Sequence, residues 1–496
     1  MKKLLAIILC AVIVLSLASC SSQQSEPAAS PTEAPTEAAA RSDYVLSDDV
    51  KEGSVIDGVM TDISSKDPIL KHTPASWLDT CVLYEVNIRQ FTEEGTFKAF
   101  EAHLDRLWDM GVNTLWLMPI HPISETERKG TLGSYYAVSD YMDVNPEFGT
   151  MDDFRHLLDK AHGMGFKVIL DWVANHTGRD NSWITEHDDW YVHNKSGDIE
   201  SPYDWTDTAQ LDYDNYEMRA EMIKCMQYWV EEIGVDGFRC DHAVGVPAAF
   251  WNAAVYQLKS VNSEIMMLAE ASAAESLTHY AFDCCYNDSL YGQTVMVQSG
   301  ISPSSVKDGM ALTDRFAAGS FPMNYLDNHD KNSYEGSIVD RYGDSYAPLL
   351  ALSYLTPGLP LVYTSDEMGY DHEIEFFEKD AVKWDEAPRY AALMTALASL
   401  KKENPALAST NADLNILDTD NSKIFAFSRT SGGNTVIYIA NLYAEAVTGS
   451  VDADLSGTTC VLNGDPEKLD TSKAEITAED FANKTFAPYE FYVLLK

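Results

Sequence analysis

The sequence predicts an α/β protein: a (β/α)8 TIM barrel with a small inserted subdomain after its third strand, followed by a C-terminal all-β sandwich domain. Three observations predict this fold. Eight short β-rich runs alternate with amphipathic stretches over roughly 300 residues, as parallel barrels require. The interval after the third run is long, polar and aromatic. Beyond Asn404 and Pro405 the pattern changes to alternating runs separated by turns, which is typical of an antiparallel sandwich.

The predicted barrel strands follow one another at regular intervals along the chain. They are residues 81–88, 113–118, 166–172, 235–240, 264–269, 282–286, 321–326 and 361–364. Apolar side chains at helical spacing occupy most of the intervals, for example at 97–110, 151–164 and 216–233. In the C-terminal region, the runs 423–429, 435–439 and 490–495 predict sandwich strands.

These patterns also give the expected domain boundaries. We expect a signal peptide at 1–19, a disordered linker at 20–42 and a lead-in segment at 43–76. The barrel is expected at 77–404, with the inserted subdomain at about 177–215, and the sandwich domain at 405–496. The linker is rich in Ser, Pro, Thr, Ala and Glu, so it cannot bury apolar surface.

The N-terminus predicts export and a lipid anchor. Lys2 and Lys3 precede an apolar stretch at 4–17 that is too short to span a membrane comfortably. Residues 17–20, Leu-Ala-Ser-Cys, resemble a bacterial lipobox, in which Cys20 is lipidated. An ordinary signal peptide that contains a cysteine is the alternative. We therefore expect an exported protein that is anchored to the bacterial cell membrane or surface.

The charge balance narrows the choice of ligand. The chain has 77 Asp and Glu against 35 Lys and Arg, a formal charge of −42. Such a surface repels phosphate backbones and anionic lipids, so nucleic acid is excluded as a partner and a neutral ligand is favoured. We expect a monomer. The six cysteines beyond residue 20 show no CxxC spacing, and buried thiols are favoured over a metal cluster.

Acidic and imidazole side chains follow four of the predicted strands. The segments are DWVANH at 171–176, GFRCDH at 237–242, LAEA at 268–271 and DNHD at 327–330. A charged group at the end of an apolar strand is costly unless it is paired or used. Any one of the four could be a satisfied polar cap. Four at the same rim of one barrel predict an active site, because the loops after the strands build the site in this fold.

From about residue 77 onward, the chain resembles the α-amylase family, glycoside hydrolase family 13. DWVANH is similar to the family's DVVxNH and GFRCDH to its GFRxD, while Glu270 and DNHD match its two remaining catalytic motifs. Two further stretches resemble family segments, YYAVSDY at 135–141 and YTSDE at 363–367. Their order on a (β/α)8 pattern makes the resemblance specific.

The resemblance implies a retaining double displacement. Asp241 would be the nucleophile and Glu270 the general acid and base, with a pKa raised by burial and by neighbouring anions. Asp330 would stabilise the distorted, oxocarbenium-like sugar ring. Arg239 lies two residues before Asp241, hence on the same strand face, and would hold the nucleophile ionised.

The remaining expected site residues bind sugar or support the catalytic groups. His176 and His329 would donate hydrogen bonds to the sugar, and Tyr136 would stack beneath it, with core packing as the alternative for Tyr136. The residues expected to play supporting roles are Asp140 and Asp171.

Departures from the family pattern leave some questions open. Many calcium-dependent α-amylases carry a Lys-His pair shortly after the nucleophile, where this chain has Val244 and Gly245. No cofactor is required for the chemistry, and Asn175 is a candidate ligand for a structural calcium, with both outcomes open. His242 could bind on the leaving-group side or cap the surface. The segment TAQLD at 208–212 matches its family counterpart only loosely, which leaves α-1,4 against α-1,6 preference open.

The sequence therefore predicts a retaining hydrolase of α-glucosidic bonds, principally α-1,4, in starch, maltodextrins or related α-glucans. Two alternatives remain. A glucanotransferase or an α-1,6-acting glucosidase would use the same site. A non-catalytic glycan-binding surface lipoprotein would keep the groove and lose a carboxylate, so the complete set of Arg239, Asp241, Glu270 and Asp330 favours the enzyme.

Overall fold

In the computed structural model, the residues described are 55–56, 59–60 and 73–496, except 273–276, 279–280, 299–305, 311–315, 317–318, 385–386, 409–411 and 466–467. The predicted signal peptide, Cys20 and the linker lie outside these residues. A short antiparallel hairpin pairs Val55–Ile56 with Val59–Met60. Among the described helices, none is both long and apolar enough to cross a membrane.

Eight parallel strands close into a barrel, which confirms the predicted fold class. We number them β1 to β8 in chain order, and β8 pairs with β1 to complete the ring. The residues of each strand are almost all buried, as expected for strands that are covered on both faces. The strands are Leu83–Val86, Thr114–Leu117, Lys167–Trp172, Gly237–Cys240, Met266–Ser272, Cys284–Tyr286, Phe321–Asn324 and Leu359–Tyr363.

The barrel interior is filled by side chains rather than open. Alternate strand residues form one apolar cluster there, including Leu83, Trp116, Ile169 and Met266. Gly237, which opens β4, has a φ of 146°, and a Cβ at this position would lie 2.0 Å from the backbone oxygen of Met266. Only glycine allows this close approach of β4 to β5.

Helices cover the outside of the barrel. The predicted helix at 151–164 is confirmed as Met151–Met164, which begins at a capping box on Thr150 and ends at Gly165 in the left-handed region. The predicted helix at 216–233 is α-helical over Tyr216–Tyr228 and continues as a π-helical turn over Trp229–Ile233. Besides these and the two helices described next, the α-helices within the described residues are Ile88–Phe91, Trp183–Glu186, Ala248–Val261, Asp288–Gln298, Val306–Met310, His329–Glu335, Ile338–Tyr342, Tyr346–Leu355, Ala391–Glu403 and Pro405–Ala408.

The predicted continuous helix at 97–110 is wrong in one respect. The structure has two helices, Phe97–Glu101 and Leu104–Asp109, separated by a turn. Both pieces bury the same apolar face, which is why the hydrophobic spacing predicted one helix. Spacing reports which face is buried and does not report a local break in the backbone hydrogen bonds.

The insert after β3 is held by a two-stranded antiparallel ribbon. His176–Gly178 pairs with Thr208–Gln210, and His176 lies directly opposite Gln210. Further contacts fix the insert to the ribbon, because the backbone of Gln210 bonds that of Glu200 and Val192. The ribbon therefore places the insert at the carboxyl end of β3, beside the rim where the predicted site residues lie.

The C-terminal region is an antiparallel all-β domain. Its main sheet has seven strands: Asp413–Ile416, Ile424–Ser431, Asn434–Asn441, Thr458–Gly464, Leu469–Asp470, Ala474–Ile476 and Phe491–Leu495. Gly432 and Gly433, both at positive φ, form the tight turn between the two longest strands. Two short strand pairs lie across an apolar layer that includes Ile439 and Phe486, which gives the sandwich its second side: Asp418–Thr419 with Val451–Asp452, and Val447–Gly449 with Lys484–Phe486.

Candidate active site

One buried guanidinium gathers three carboxylates at the carboxyl ends of β3, β4 and β5. Arg239 Nη1 donates to Asp171 Oδ1 at 2.8 Å and to Asp241 Oδ1 at 3.0 Å. Arg239 Nη2 lies 3.0 Å from Glu270 Oε2. The guanidinium is inaccessible to solvent, so its charge is screened little and these ion pairs are strong. The structure thus brings Asp171, Arg239, Asp241 and Glu270 together as the sequence predicted.

The pKa values of the two central carboxyls differ from the expectation. Burial, together with the nearby Glu270 charge, raises the pKa of Asp241 well above its ordinary value. Burial also acts on Glu270, but Arg239 and a backbone hydrogen bond outweigh it and lower its pKa. The bond is short, 2.6 Å from the His242 N–H to Glu270 Oε2. The expected rise in the pKa of Glu270 is therefore wrong for the unliganded protein, in which it is lowered.

Asp171 is a supporting group beneath the site. It is fully buried and accepts hydrogen bonds on Oδ2 from Trp116 Nε1 and from the Tyr136 hydroxyl, both at 3.1 Å. The Tyr136 ring stacks on His329, with ring centroids 5.5 Å apart, and on Phe376 at 6.2 Å. Tyr136 is 8% exposed, so its ring is mostly packed and little of it is available to a ligand.

Glu85, in the middle of β1, is a site residue that the sequence reasoning missed. His329 Nδ1 donates to Glu85 Oε1 at 2.5 Å, and its Nε2 lies 2.8 Å from the Tyr136 hydroxyl and 3.5 Å from Asp330 Oδ1. Burial lowers the pKa of His329, but Asp330 and Glu85 outweigh burial and raise it to about 9. His329 is therefore an imidazolium near neutral pH. The signal for Glu85 is a carboxylate within an otherwise apolar strand, LYEV.

Asp330 and His242 line the accessible part of the site. The side chain of Asp330 is 44% exposed, in contrast to the buried groups below it. His242 adopts the left-handed backbone conformation, with a φ of 42°, which is rare and costly for a residue with a side chain. Its Nε2 lies 3.1 Å from the Tyr203 hydroxyl, within hydrogen-bonding distance, and Trp205 packs against both rings. Tyr203, also at positive φ and 73% exposed, was not predicted.

His176 lies buried behind this aromatic group, with its ring 5.4 Å from that of Trp205. Burial lowers its pKa to about 3, so the imidazole is neutral. Asn175 Nδ2 lies 3.2 Å from His176 Nδ1. An amide nitrogen can only donate, so Nδ1 accepts and the His176 proton is on Nε2.

The surroundings of Asn175 do not fit a calcium ion. The side-chain nitrogen of Gln210 lies 3.0 Å from Asn175 O, 3.3 Å from Asn175 Oδ1 and 3.3 Å from Leu211 O. An amide donor thus sits among the oxygens that a cation would need. Within the described residues, no group of three or more His, Cys, Asp or Glu side chains could hold a metal ion.

Asp140 is exposed and lies on a different wall of the molecule. Its Oδ1 accepts a hydrogen bond from Met142 N at 2.8 Å. With Trp183 and Glu221 it lines a cavity of about 730 Å³ between the loop after β2 and the insert. Its described contacts do not include the Arg239 carboxylates.

The arrangement of Arg239, Asp241 and Glu270 at a barrel rim agrees with the family comparison. A model described as "Alpha amylase, catalytic domain" matches residues 61–410, and one described as "Maltogenic Amylase, C-terminal domain" matches residues 414–493. The first match covers well over half of the 496 residues. The chain belongs to the α-amylase family.

Individual relatives carry names for both hydrolases and transferases. An α-amylase, MalA, of Haloarcula japonica is 28% identical over 410 residues, which is 78% of this chain and 59% of the relative. An α-1,4-glucan:maltose-1-phosphate maltosyltransferase of Salinibacter ruber is 25% identical over 392 residues, 72% of this chain and 58% of that protein. The chain thus spans less than two thirds of the length of these curated relatives.

A solved structure matches over nearly its whole length. It is a noncanonic maltogenic α-amylase, AmyB, from Thermotoga neapolitana. The TM-score is 0.73 at 26% identity, and the match covers 84% of this chain and 99% of that one.

Proposed function

We propose that the protein is a retaining glycoside hydrolase that cleaves α-glucosidic bonds, principally α-1,4, in starch, maltodextrins or related α-glucans. The single observation that carries this proposal is the contact of Asp241 and Glu270 with one buried guanidinium, both at 3.0 Å. A shared guanidinium keeps the two carboxyls close, and double displacement needs them about 5–5.5 Å apart.

In the proposed mechanism, an Asp241 oxygen attacks the anomeric carbon while Glu270 donates a proton to the leaving oxygen. The products of this step are a β-glycosyl ester on Asp241 and a shortened glucan. Glu270, now ionised, then removes a proton from water, which attacks the same carbon and releases the α-anomer. The chemistry needs no cofactor.

For catalysis, substrate binding has to bring a proton to Glu270, whose pKa is lowered in the unliganded protein. Two features of a bound sugar favour this transfer. Positive charge that develops at the anomeric carbon stabilises an ionised Asp241, and the leaving oxygen accepts a hydrogen bond from a protonated Glu270. Arg239 lies within reach of both carboxylates and stabilises whichever is charged.

The other polar groups bind and distort the sugar. His329, as an imidazolium, contacts Glu85 through Nδ1 and Asp330 through Nε2 and so positions Asp330, while Asp330 accepts from sugar hydroxyls. His176 donates from Nε2. The exposed part of Tyr136 contacts the ring face. Hydrogen bonds that strengthen as the ring flattens stabilise the transition state more than the ground state.

A transferase is the second candidate, and one observation favours it. Tyr203, Trp205 and His242 form an aromatic group next to Glu270, where a sugar acceptor that replaces water would stack. The maltosyltransferase name among the relatives points the same way. A glycan-binding lipoprotein without catalysis is disfavoured by the complete carboxylate set.

The proposal includes export and anchoring. The apolar stretch at 4–17 followed by Leu-Ala-Ser-Cys supports lipidation of Cys20. Membrane attachment through a di- or triacylated cysteine is firm, whereas one acyl chain anchors only marginally. Cys20→Ser should release the protein from membranes or block its processing. Unchanged attachment of that variant in a fractionation would refute the anchor.

We propose that the protein is a monomer. Light scattering of a form truncated before residue 73 tests this.

The activity itself is tested by a product profile on starch, maltoheptaose, pullulan and isomaltose. We expect hydrolysis of the α-1,4 substrates, with the α-anomer released first, as followed by proton NMR. Initial release of the β-anomer would contradict double displacement. Longer oligosaccharides than the starting maltoheptaose would favour the transferase, and cleavage of isomaltose alone the α-1,6 alternative.

A further inference from the structure

The junction between the rim of β3 and the insert is built around one side-chain amide. Gln210 Nε2 contacts three oxygens, Asn175 O, Asn175 Oδ1 and Leu211 O, at 3.0–3.3 Å. Three converging oxygens are the kind of surroundings that a hard cation takes in proteins. All three oxygens are neutral, however, and without a carboxylate ligand the charge of a divalent ion would be poorly compensated. An NH2 group with two partial positive hydrogens matches such a neutral cage.

We propose that the Gln210 amide does at this junction what a structural calcium does in the calcium-dependent members of the family. It connects the loop after β3 to the insert, and it makes this chain's stability independent of calcium. The register supports the assignment, because Gln210 ends its ribbon strand directly opposite His176. Its backbone is fixed by bonds to Val192 and Glu200, so the amide is aimed from a rigid strand.

The Gln210 amide also affects the sugar-binding site, and this step of the argument rests on the proposed function. By donating to Asn175 Oδ1, Gln210 sets which way the Asn175 amide faces. Asn175 Nδ2 then faces His176 Nδ1 at 3.2 Å and keeps the His176 proton on Nε2. Gln210 is thus a positioning residue that acts through Asn175 on the tautomer of His176.

The space beside Asn175 is tightly filled from the other side as well. A Cβ on Gly245 would lie 2.9 Å from Asn175 Oδ1 and 2.3 Å from a ring carbon of His242. The His242 ring therefore occupies the place where a side chain at position 245 would start. This explains in steric terms why the chain has glycine where calcium-dependent relatives carry a larger residue.

The experiment compares the full-length protein with Gln210→Ala and Gln210→Glu, in EDTA, in millimolar Ca²⁺ and in millimolar Mg²⁺. Gln227→Ala is the matched control, since Gln227 Nε2 bonds Gln257 Oε1 between two helices outside this junction. We expect the wild-type Tm to change by less than about 1 °C between EDTA and Ca²⁺. Gln210→Ala should lower Tm by about 2–4 °C with no recovery in Ca²⁺, because Asn175 Oδ1 and Leu211 O lose this donor and Asn175 O keeps only the Leu211 N–H.

Gln210→Glu should create a calcium site. A carboxylate among three oxygens is repelled in EDTA, which lowers Tm, and Ca²⁺ but not Mg²⁺ should restore it. A wild-type Tm that rises by several degrees in Ca²⁺ would overturn the proposal. So would a Gln210→Ala variant with wild-type Tm. Because these two outcomes need only the wild type and the alanine variant, a Gln210→Glu protein that does not fold leaves the test intact.

The positioning role has its own readout. Imidazole ¹⁵N shifts should show His176 with its proton on Nε2 in the wild type and a mixture of tautomers in Gln210→Ala. The KM for maltoheptaose should rise several-fold while kcat changes less, since binding rather than bond cleavage is affected. Unchanged ¹⁵N shifts would refute the positioning role. The shifts and the calcium response are measured without substrate, so they stand or fall separately from the proposed activity.

Discussion

Two buried cations in this protein lie in opposite surroundings. Arg239, at the rim, contacts Asp171, Asp241 and Glu270. Burial lowers its pKa, but Asp171 and Glu270 outweigh burial and raise it well above the ordinary value. Lys401, at the joint between barrel and C-terminal sheet, donates to the backbone oxygens of Gly358 and Leu407. Burial, assisted by the nearby Arg429, lowers its pKa to about 7.

The two cations therefore have different roles. Arg239 stabilises charge at the site, and Lys401 supports the packing between the barrel and the C-terminal sheet. A guanidinium among carboxylates stabilises whichever of them is ionised during a reaction, so its function depends on its positive charge. An ammonium held by neutral carbonyls pays for desolvation and gains only hydrogen bonds. Changes around Arg239 should therefore alter activity, and changes at Lys401 should alter only the pH dependence of stability.

Asp241→Asn should have the largest effect. The substitution keeps the shape of the side chain but removes the proposed nucleophile and its charge. We expect kcat on starch to fall by more than the roughly 10²–10⁴-fold that loss of a general acid costs. Binding of maltoheptaose, measured by calorimetry, should persist, and Asp413→Asn on the exposed sheet edge should be neutral. Near-normal hydrolysis would mean that Asp241 is not the nucleophile.

Glu270→Gln should lower the rate on starch by about 10²–10⁴-fold, because the transferable proton is lost. Substrates with a good leaving group need little protonation. The variant should therefore still react with an activated aryl α-glucoside or a glucosyl fluoride and then stall for lack of a base, which a stopped-flow burst would record. The exposed Glu403 provides the control variant Glu403→Gln. Equal loss on activated and natural substrates would contradict the acid and base role.

The strands and the catalytic carboxylates were predictable because each has a local signature. Buried parallel strands are short and β-rich, and an acid at such a strand's end is conspicuous in the sequence. The contact of Glu85 with His329 has no local signature, since 244 positions separate them and only barrel closure joins β1 to the end of β7. The contacts of Tyr203 and Gln210 likewise depend on how the insert folds back over the rim. The lowered pKa of Glu270 depends on the Arg239 charge and on the His242 N–H, and the orientation of that N–H has no signature in the sequence.

Glu85→Gln should have a moderate effect on the pKa of His329, which shows how far the influence of the carboxylates extends below the rim. The neutral amide still accepts from His329 Nδ1 but no longer holds its charge, so the pKa of His329 should fall from about 9 towards its ordinary value. NMR titration of His329 measures this directly, with the surface His372 as an internal reference. An unchanged His329 titration would mean that Asp330 alone holds the proton.

The same variant has a stability signature. The pKa of His329 is higher in the folded protein than in the unfolded chain, so its contribution is complete below about pH 6.5 and is lost as pH rises through about 9. In urea unfolding, the advantage of the wild type over Glu85→Gln should be about 3 kcal/mol at most at pH 6 and should shrink towards pH 9.5. An advantage that grows with pH would reverse the assignment.

Lys401→Met should have the smallest effect and is the sharpest contrast with the rim. The folded protein binds the Lys401 proton only below about pH 7, whereas the unfolded chain binds it below about 10.5. The lysine therefore costs stability as pH falls below 10.5, and the full cost is reached below pH 7. Methionine removes that cost but takes the Lys401 donor from the oxygens of Gly358 and Leu407, at about 1–3 kcal/mol for Gly358 and less for Leu407, which also accepts from Arg429 Nη1. The two effects on the free energy of unfolding offset near neutral pH, and we expect unchanged kcat and KM.

The free energy of unfolding of the variant relative to the wild type should rise as pH is lowered from 10 to 6. A difference that stays constant with pH would show that Lys401 is charged in the folded joint, and would place it with Arg239 as a cation whose charge is stabilised.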